Sequence, residues 1–207
     1  MNHLEKLGKL ETKAGEEIAL DQDLIILTVI ASMLAVLGIK MDSDYILIGA
    51  MLVSPLFDPI ISSAIFLISK NKEKFYKSLK SLVIIVLIGI LSSIAMWTFL
   101  SFLDHTATQA YVLQSFTVFD IGLVAFLTGI VGTLLWIWPH RSNTSAGIAI
   151  AISLVPPIAN IAAGVVSVNL NDAIKYSASL GLNIVGIYLG ALLVLEIYVK
   201  RRYVRKL

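Results

Sequence analysis

The sequence predicts an all-α fold: a polytopic transmembrane helical bundle of about six spans, built as a 3+3 inverted repeat with proline-broken second and fifth spans. Three observations predict it. Of 207 residues, 57% are hydrophobic and 14% are charged, and the mean hydropathy is +0.87; a soluble domain carries roughly 25% charged residues. Six long apolar runs fill most of the length, and four of the five prolines fall in two of those runs.

The apolar runs are 24–39, 45–68, 81–103, 118–138, 146–168 and 176–199, each bounded by charged or polar residues. A bilayer core about 30 Å thick takes roughly 20 residues of helix. Five runs meet that length. The run 24–39 is short and crosses only if it extends through Ile18 to Leu20 past Asp21 and Asp23, or tilts less than its neighbours; the alternative is a re-entrant segment. The resulting division is a tail or interfacial helix over 1–23, a membrane domain over 24–199 and a basic tail over 200–207.

Charge placement orients the spans. Six crossings put Lys6, Lys9, Lys13, Lys70, Lys72, Lys74, Lys77, Lys80, Arg141, Lys200, Arg201, Arg202, Arg205 and Lys206 on one side, and only Lys40 and Lys175 on the other. Cation-rich loops stay cytoplasmic. Both termini are therefore expected in the cytoplasm of a multi-pass cell-membrane protein. The cluster Lys70, Lys72, Lys74, Lys77 and Lys80, interleaved with Phe75 and Tyr76, reads as a contact for anionic lipid head groups rather than for nucleic acid.

Ahead of the first span, Leu7, Leu10, Ala14 and Ile18 recur at helical spacing, with Glu5 and Lys9 one turn apart. This is either a short helix lying on the membrane surface or a solvated tail. The first 23 residues lack the apolar core and cleavage site of a secretory signal, so they are expected to be retained. There is no cysteine, which excludes disulfides and thiolate chemistry.

The second and fifth runs share a pattern. At an offset of 102 residues, Pro55 falls on Pro157 and Asp58 on Asn160. Each motif occupies the middle span of a three-span half, and an odd number of spans makes any structural repeat an inverted one. A proline inside a helix strands the carbonyl four residues earlier. By that rule Pro55 frees Met51, Pro59 frees Pro55, Pro156 frees Ile152 and Pro157 frees Ser153. Such carbonyls at mid-bilayer must be answered by protein, water or an ion.

Polar side chains converge on the same places. Ser54, Asp58 and Ser62 share one helix face, and Ser153, Pro157 and Asn160 share another. An ionised Asp58 at mid-span costs about 2.5–3.5 kcal/mol on insertion scales, so it should face the bundle interior beside a cation or a donor. The candidate substrate or ion site is Ser54, Pro55, Asp58, Pro59, Ser153, Pro156, Pro157 and Asn160, with Asn183 of the sixth run as a further lining residue or a helix-to-helix hydrogen bond. Packing by kinked helices, with Asp58 and Asn160 satisfying each other, is the simpler account of the same residues. Gly122, Gly129, Gly132, Gly186 and Gly190 form small-residue faces for close packing, internal or between subunits, and a homo-oligomer is expected.

The strings Gly49-Ala50-Met51-Leu52-Val53-Ser54-Pro55-Leu56, followed by Pro59, and Ile152-Ser153-Leu154-Val155-Pro156-Pro157 resemble the bacterial and archaeal family called domain of unknown function three-eighty-nine. The similarity runs from about Asp23 to Tyr198. It implies a membrane architecture and no activity. Longer relatives are expected to carry a soluble domain ahead of the membrane part, which this sequence lacks.

The leading functional expectation is a channel or secondary transporter for a small solute or ion, with Asp58 carrying proton or cation coupling. No nucleotide-binding motif or cofactor signature is present, so transport would be passive or gradient-driven. The alternative is a non-transporting scaffold or sensor that organises lipids or partners through its glycine faces and basic loops. An enzyme is not expected: His3, His105 and His140 lack ligand spacing, and one central Asp makes no carboxylate dyad. No metal site is expected.

Overall fold

The computed structural model describes residues 3–18, 20–104, 118–138 and 154–200. Among them are eight helices and no strand: α1 (His3–Glu17), α2 (Gln22–Lys40), α3 (Asp44–Val53), α4 (Phe57–Ile68), α5 (Lys72–Asp104), α6 (Val118–Ile137), α7 (Val155–Val166) and α8 (Leu170–Lys200). Four of them, α2, α5, α6 and α8, are long and apolar enough to cross a membrane. The pair α3 and α4, bent by 44° at its break, makes a fifth candidate, and α7 is a shorter apolar helix of 12 residues. The chain is thus an all-helical, multi-pass membrane protein. Of the run 146–168, the part before Leu154 lies outside the described residues.

The first span is not short. Asp21, which looked like a cost, accepts a hydrogen bond from the Leu24 N–H at 2.9 Å and caps α2, which then runs for 19 residues. A carboxylate here answers one of the unpaired N–H groups and favours the positive end of the helix.

Three helices, α2, α4 and α7, end in the same way. The N–H of Ser43 returns to Gly38, that of Asn71 to Phe66 and that of Asn169 to Gly164, each at 2.9–3.0 Å. The residues just before, Asp42, Lys70 and Val168, have φ of 49°, 60° and 58°. These are Schellman caps in which a left-handed residue lets the chain reverse within three positions. Asn71 and Asn169 then accept from the N–H groups of Lys74 and Asp172, so each asparagine closes one helix and opens the next.

The α4–α5 and α7–α8 hairpins match closely. Phe57 and Val155 open 12-residue helices, Ser69 and Ser167 follow their ends, and Lys72 and Leu170 open helices of 33 and 31 residues; each pair is 98 positions apart. Burial follows the same spacing. Ser78, Ser81, Leu82, Ser93 and Trp97 of α5 are buried, and so are Tyr176, Ser179, Leu180, Ala191 and Leu195 of α8. At a spacing of 97, buried Thr28, Ala31, Ser32, Ala35 and Val36 of α2 fall on buried Ala125, Thr128, Gly129, Gly132 and Thr133 of α6. The packing follows too: α4 lies against α5 and α8, and α7 against α8 and α5.

The helix register therefore differs from the proline-based offset of 102. At 98, Pro59 pairs with Pro157 and Ser62 with Asn160, while Asp58 falls on Pro156. The prolines also act differently than expected. Pro55 sits in the break between α3 and α4, but Pro59, Pro156 and Pro157 all lie in first turns. A first-turn proline has no preceding intrahelical acceptor to lose, so it starts a helix instead of breaking one. The carbonyls of Ile152 and Ser153 lie outside the described residues.

Helices α6 and α8 run parallel, side by side. Gly122 faces Leu182, Gly129 faces Ile187 and Gly190 meets Phe126 and Ile130, while Trp138 and Tyr198 stack edge-on with centroids 6.3 Å apart. Gly129, Gly186 and Gly190 allow the two backbones to touch. These glycines belong to an internal seam, not to a face left for another subunit.

Candidate functional site

The α3–α4 break is built by Ser54, Pro55 and Leu56. Ser54 is extended, with φ −71° and ψ 126°, as the residue before a proline is pushed to be. Beyond it, α4 is buried from Pro59 through Phe66, and α7 is buried from Val155 through Gly164. Leu56 and Ile60 at the start of α4 and Leu154, Val155, Ile158 and Ala159 at the start of α7 belong to one large apolar cluster that also draws on α2, α3, α5, α6 and α8, and α4 and α7 themselves make little direct contact. Helix α4 buries two polar side chains, Ser62 and Ser63, and α7 buries Asn160, which matches Ser62 in position; Ser62 and Asn160 are 0% and 1% exposed.

Around α7 the packing is tight and partly polar. A Cβ at Gly89 would lie 3.1 Å from Ser32 Oγ and 3.2 Å from Ile158 Cγ2, so α2, α5 and α7 meet there. Two turns on, Trp97 Nε1 donates to the Ala159 carbonyl at 3.0 Å. Ser93 lies between Gly89 and Trp97 on the same face, fully buried. Its hydroxyl and those of Ser62 and Ser81 have no hydrogen-bond partner among the described residues. Serine hydroxyls without partners in a packed interior are costly.

Asp58 is placed elsewhere. It lies in the first turn of α4, where a carboxylate favours the positive helix end. Its neighbours are Trp136 of α6, a hydrogen-bonding partner, and Lys13 and Glu17 of α1, within electrostatic reach. Phe57 beside it fills the space left by Gly132 of α6, where any side chain would collide with the ring. Lys13 Nζ bonds the Trp136 carbonyl at 3.3 Å and lies 4.0 Å from the indole centroid.

Helix α1 is docked, not floating. Ala14 and Ile18 are 0% and 2% exposed and pack with Ile61, Ala64, Ile65, Ala191 and Leu195. The apolar stripe read from the sequence is thus turned onto α4 and α8. Of the remaining sequence-derived candidates, Ser54, Pro55 and Asn183 are half-buried, Pro59, Pro156 and Pro157 are buried, and Ser153 lies outside the described residues. Lys13 and Trp136 were missed as site residues because 123 positions separate them; Ser93 gave no signal apart from its place on a buried helix face.

The profile of the family described as Domain of unknown function (DUF389) matches residues 51–189. The chain belongs to this family. The matched segment takes in the end of α3, all of α4 to α7 and most of α8, and leaves α1 outside. An uncharacterized protein of Methanocaldococcus jannaschii is 27% identical over 190 residues, which cover 89% of this chain. The chain spans 57% of that relative's length. No solved structure matches the chain. DUF389 membership thus agrees with the resemblance read from the proline strings, and it brings no activity with it.

Proposed function

We propose that this DUF389 protein is a channel or gradient-driven secondary transporter for a small solute or ion, built as a six-span inverted repeat with α4 and α7 as paired half-helices. One observation carries the reading: two 12-residue helices each start at a proline-marked turn in a shared buried cluster and fold back through the same cap into a long helix. Twelve residues reach only about 18 Å, short of a core about 30 Å thick. Their N-termini are therefore held at depth, where the first-turn N–H groups that Pro59, Pro156 and Pro157 do not remove need a partner. Half-helix ends at the centre of inverted repeats are where many transporters hold substrate.

The parallel course of α6 and α8 supports the six-span count. Parallel neighbours require the chain between them to return along their full length, and α7 supplies part of that return. In this arrangement Ser62 and Asn160 occupy equivalent places, one from each half. The site then consists of Ser54, Pro55, Ser62, Pro156, Pro157 and Asn160 about the two helix starts, with Asp58 tied to α1 and α6 at its edge. The cation asymmetry supports cytoplasmic termini in this reading, with Lys70 to Lys80 toward anionic lipid. The scaffold reading loses support because Gly186 and Gly190 lie in the internal α6–α8 seam.

The test is flux in proteoliposomes, read by light scattering across a panel of small neutral solutes and inorganic ions. Asn160→Ala and Ser62→Ala should each reduce flux of the active solute at least tenfold while the far-ultraviolet spectrum is unchanged. Vesicles that are no more permeable than protein-free controls to any member of the panel would remove the transport reading.

A further inference from the structure

Trp136 lies one residue from the end of α6, so its carbonyl is among the four that lack an intrahelical donor. Lys13 answers it at 3.3 Å and places the same ammonium 4.0 Å from the centroid of the Trp136 ring. The Asp58 carboxylate accepts from the Trp136 side chain and feels both Lys13 and Glu17. Glu17 stands one turn after Lys13 on α1, where i and i+4 side chains are neighbours.

An aromatic face, a carbonyl acceptor and two carboxylates are the groups that recognise an alkylammonium ion. The ring quadrupole attracts the cation, the carbonyl takes an N–H, and the carboxylates neutralise the charge. One resident ammonium stands against two carboxylates; the negative end of α6 adds to the excess and the positive end of α4 at Asp58 offsets part of it. All four side chains are half-buried, so the charges are weakly screened yet remain within reach of solvent. Buried Ala14 and Ile18 fix α1 beneath them, which delivers the Lys13 ammonium to one place.

We propose that Trp136, Asp58 and Glu17 form a binding site for primary alkylammonium ions, which Lys13 fills from within the chain when α1 is docked. A free alkylammonium ion competes with Lys13 for this site and loosens α1. Shortening Lys13 to alanine vacates the volume of an n-propylammonium ion at the same ring and carbonyl.

The experiment is chemical rescue on the full chain in detergent micelles. Lys13→Ala lowers Tm by roughly 5 °C, and millimolar n-propylammonium chloride restores most of the loss. Sodium and tetramethylammonium chloride at the same ionic strength do not, since neither offers N–H donors to the Trp136 carbonyl. Adding Trp136→Leu to Lys13→Ala abolishes the restoration. An unchanged Tm in Lys13→Ala, or restoration that sodium reproduces or that survives loss of the indole, overturns the proposal.

Should Lys13→Ala not fold, Lys13→Cys serves instead, because the chain has no other thiol. Its thiolate displaces bromide from 2-bromoethylamine, forming an S–C bond and returning an ammonium on a side chain of nearly the same length. That product should melt several degrees above the iodoacetamide-treated form, which carries a neutral amide. Equal melting of the two labelled forms overturns the proposal as well.

Discussion

Replacing Gly129 by alanine should separate α6 from α8. A Cβ at Gly129 would collide with the carbonyl oxygen of Ile187 and lie 2.8 Å from its Cα and carbonyl carbon. All three obstacles are backbone in the middle of a 31-residue helix, so no side chain can rotate away. Restoring an ordinary 3.4 Å contact with that oxygen requires the helices to part by roughly 1 Å at that point, which loosens the matching contacts of Gly186 and Gly190. Overpacking of this kind costs about 1–3 kcal/mol, and the gain in helix propensity from glycine to alanine returns at most ~1 kcal/mol. The Tm in detergent should fall by roughly 2–8 °C. Gly181 in the same helix has nothing within 4 Å of its would-be Cβ, so Gly181→Ala should raise Tm by roughly 1–4 °C through propensity. The same chemical change thus carries opposite signs at two sites. A Gly129→Ala protein as stable as the parent would refute the close seam and the parallel course inferred from it.

Other changes test separate parts of the structure. Val168 is β-branched with φ 58°, a conformation that costs an L-residue roughly 1–2 kcal/mol; Val168→Gly should therefore raise Tm by a few degrees in a thermal melt. Trp97→Phe keeps the ring and loses the hydrogen bond to Ala159, so it should cost about 1 kcal/mol, visible as a lower Tm. Asp21→Ala removes the α2 cap and should cost about 1 kcal/mol, with faster amide exchange confined to the first turn. Asp58→Asn should leave the fold intact and reduce coupled flux in proteoliposomes, since the amide still accepts from Trp136 but no longer balances Lys13.

Much of this architecture is written in local patterns. The spacing of Leu10, Ala14 and Ile18 gave a helix, but only the folded chain shows that its apolar side rests on Ile61 and Ile65 instead of lipid. A proline in a first turn and one within a helix read alike in a sequence, and where a helix begins is decided by tertiary packing. For that reason Pro59, Pro156 and Pro157 suggested breaks where the structure has starts. The offset of 102 followed from matching Pro55 to Pro157. The spacing of 98 rests instead on Ser69 and Asn71 against Ser167 and Asn169, a turn signal that is visible in the sequence but less conspicuous than proline. The Lys13–Trp136 contact has no local signature, because both partners are ordinary residues of the ends they occupy.

The proposed arrangement requires α4–α5 and α7–α8 to be the same unit inserted from opposite faces. Since the chain has no cysteine, Lys72→Cys and Leu170→Cys each offer a single exposed thiol at equivalent positions after the two turns. With a membrane-impermeant maleimide added outside sealed right-side-out vesicles, Leu170→Cys should react at once and Lys72→Cys only after permeabilisation. Labelling of both from the same side would contradict the inverted repeat.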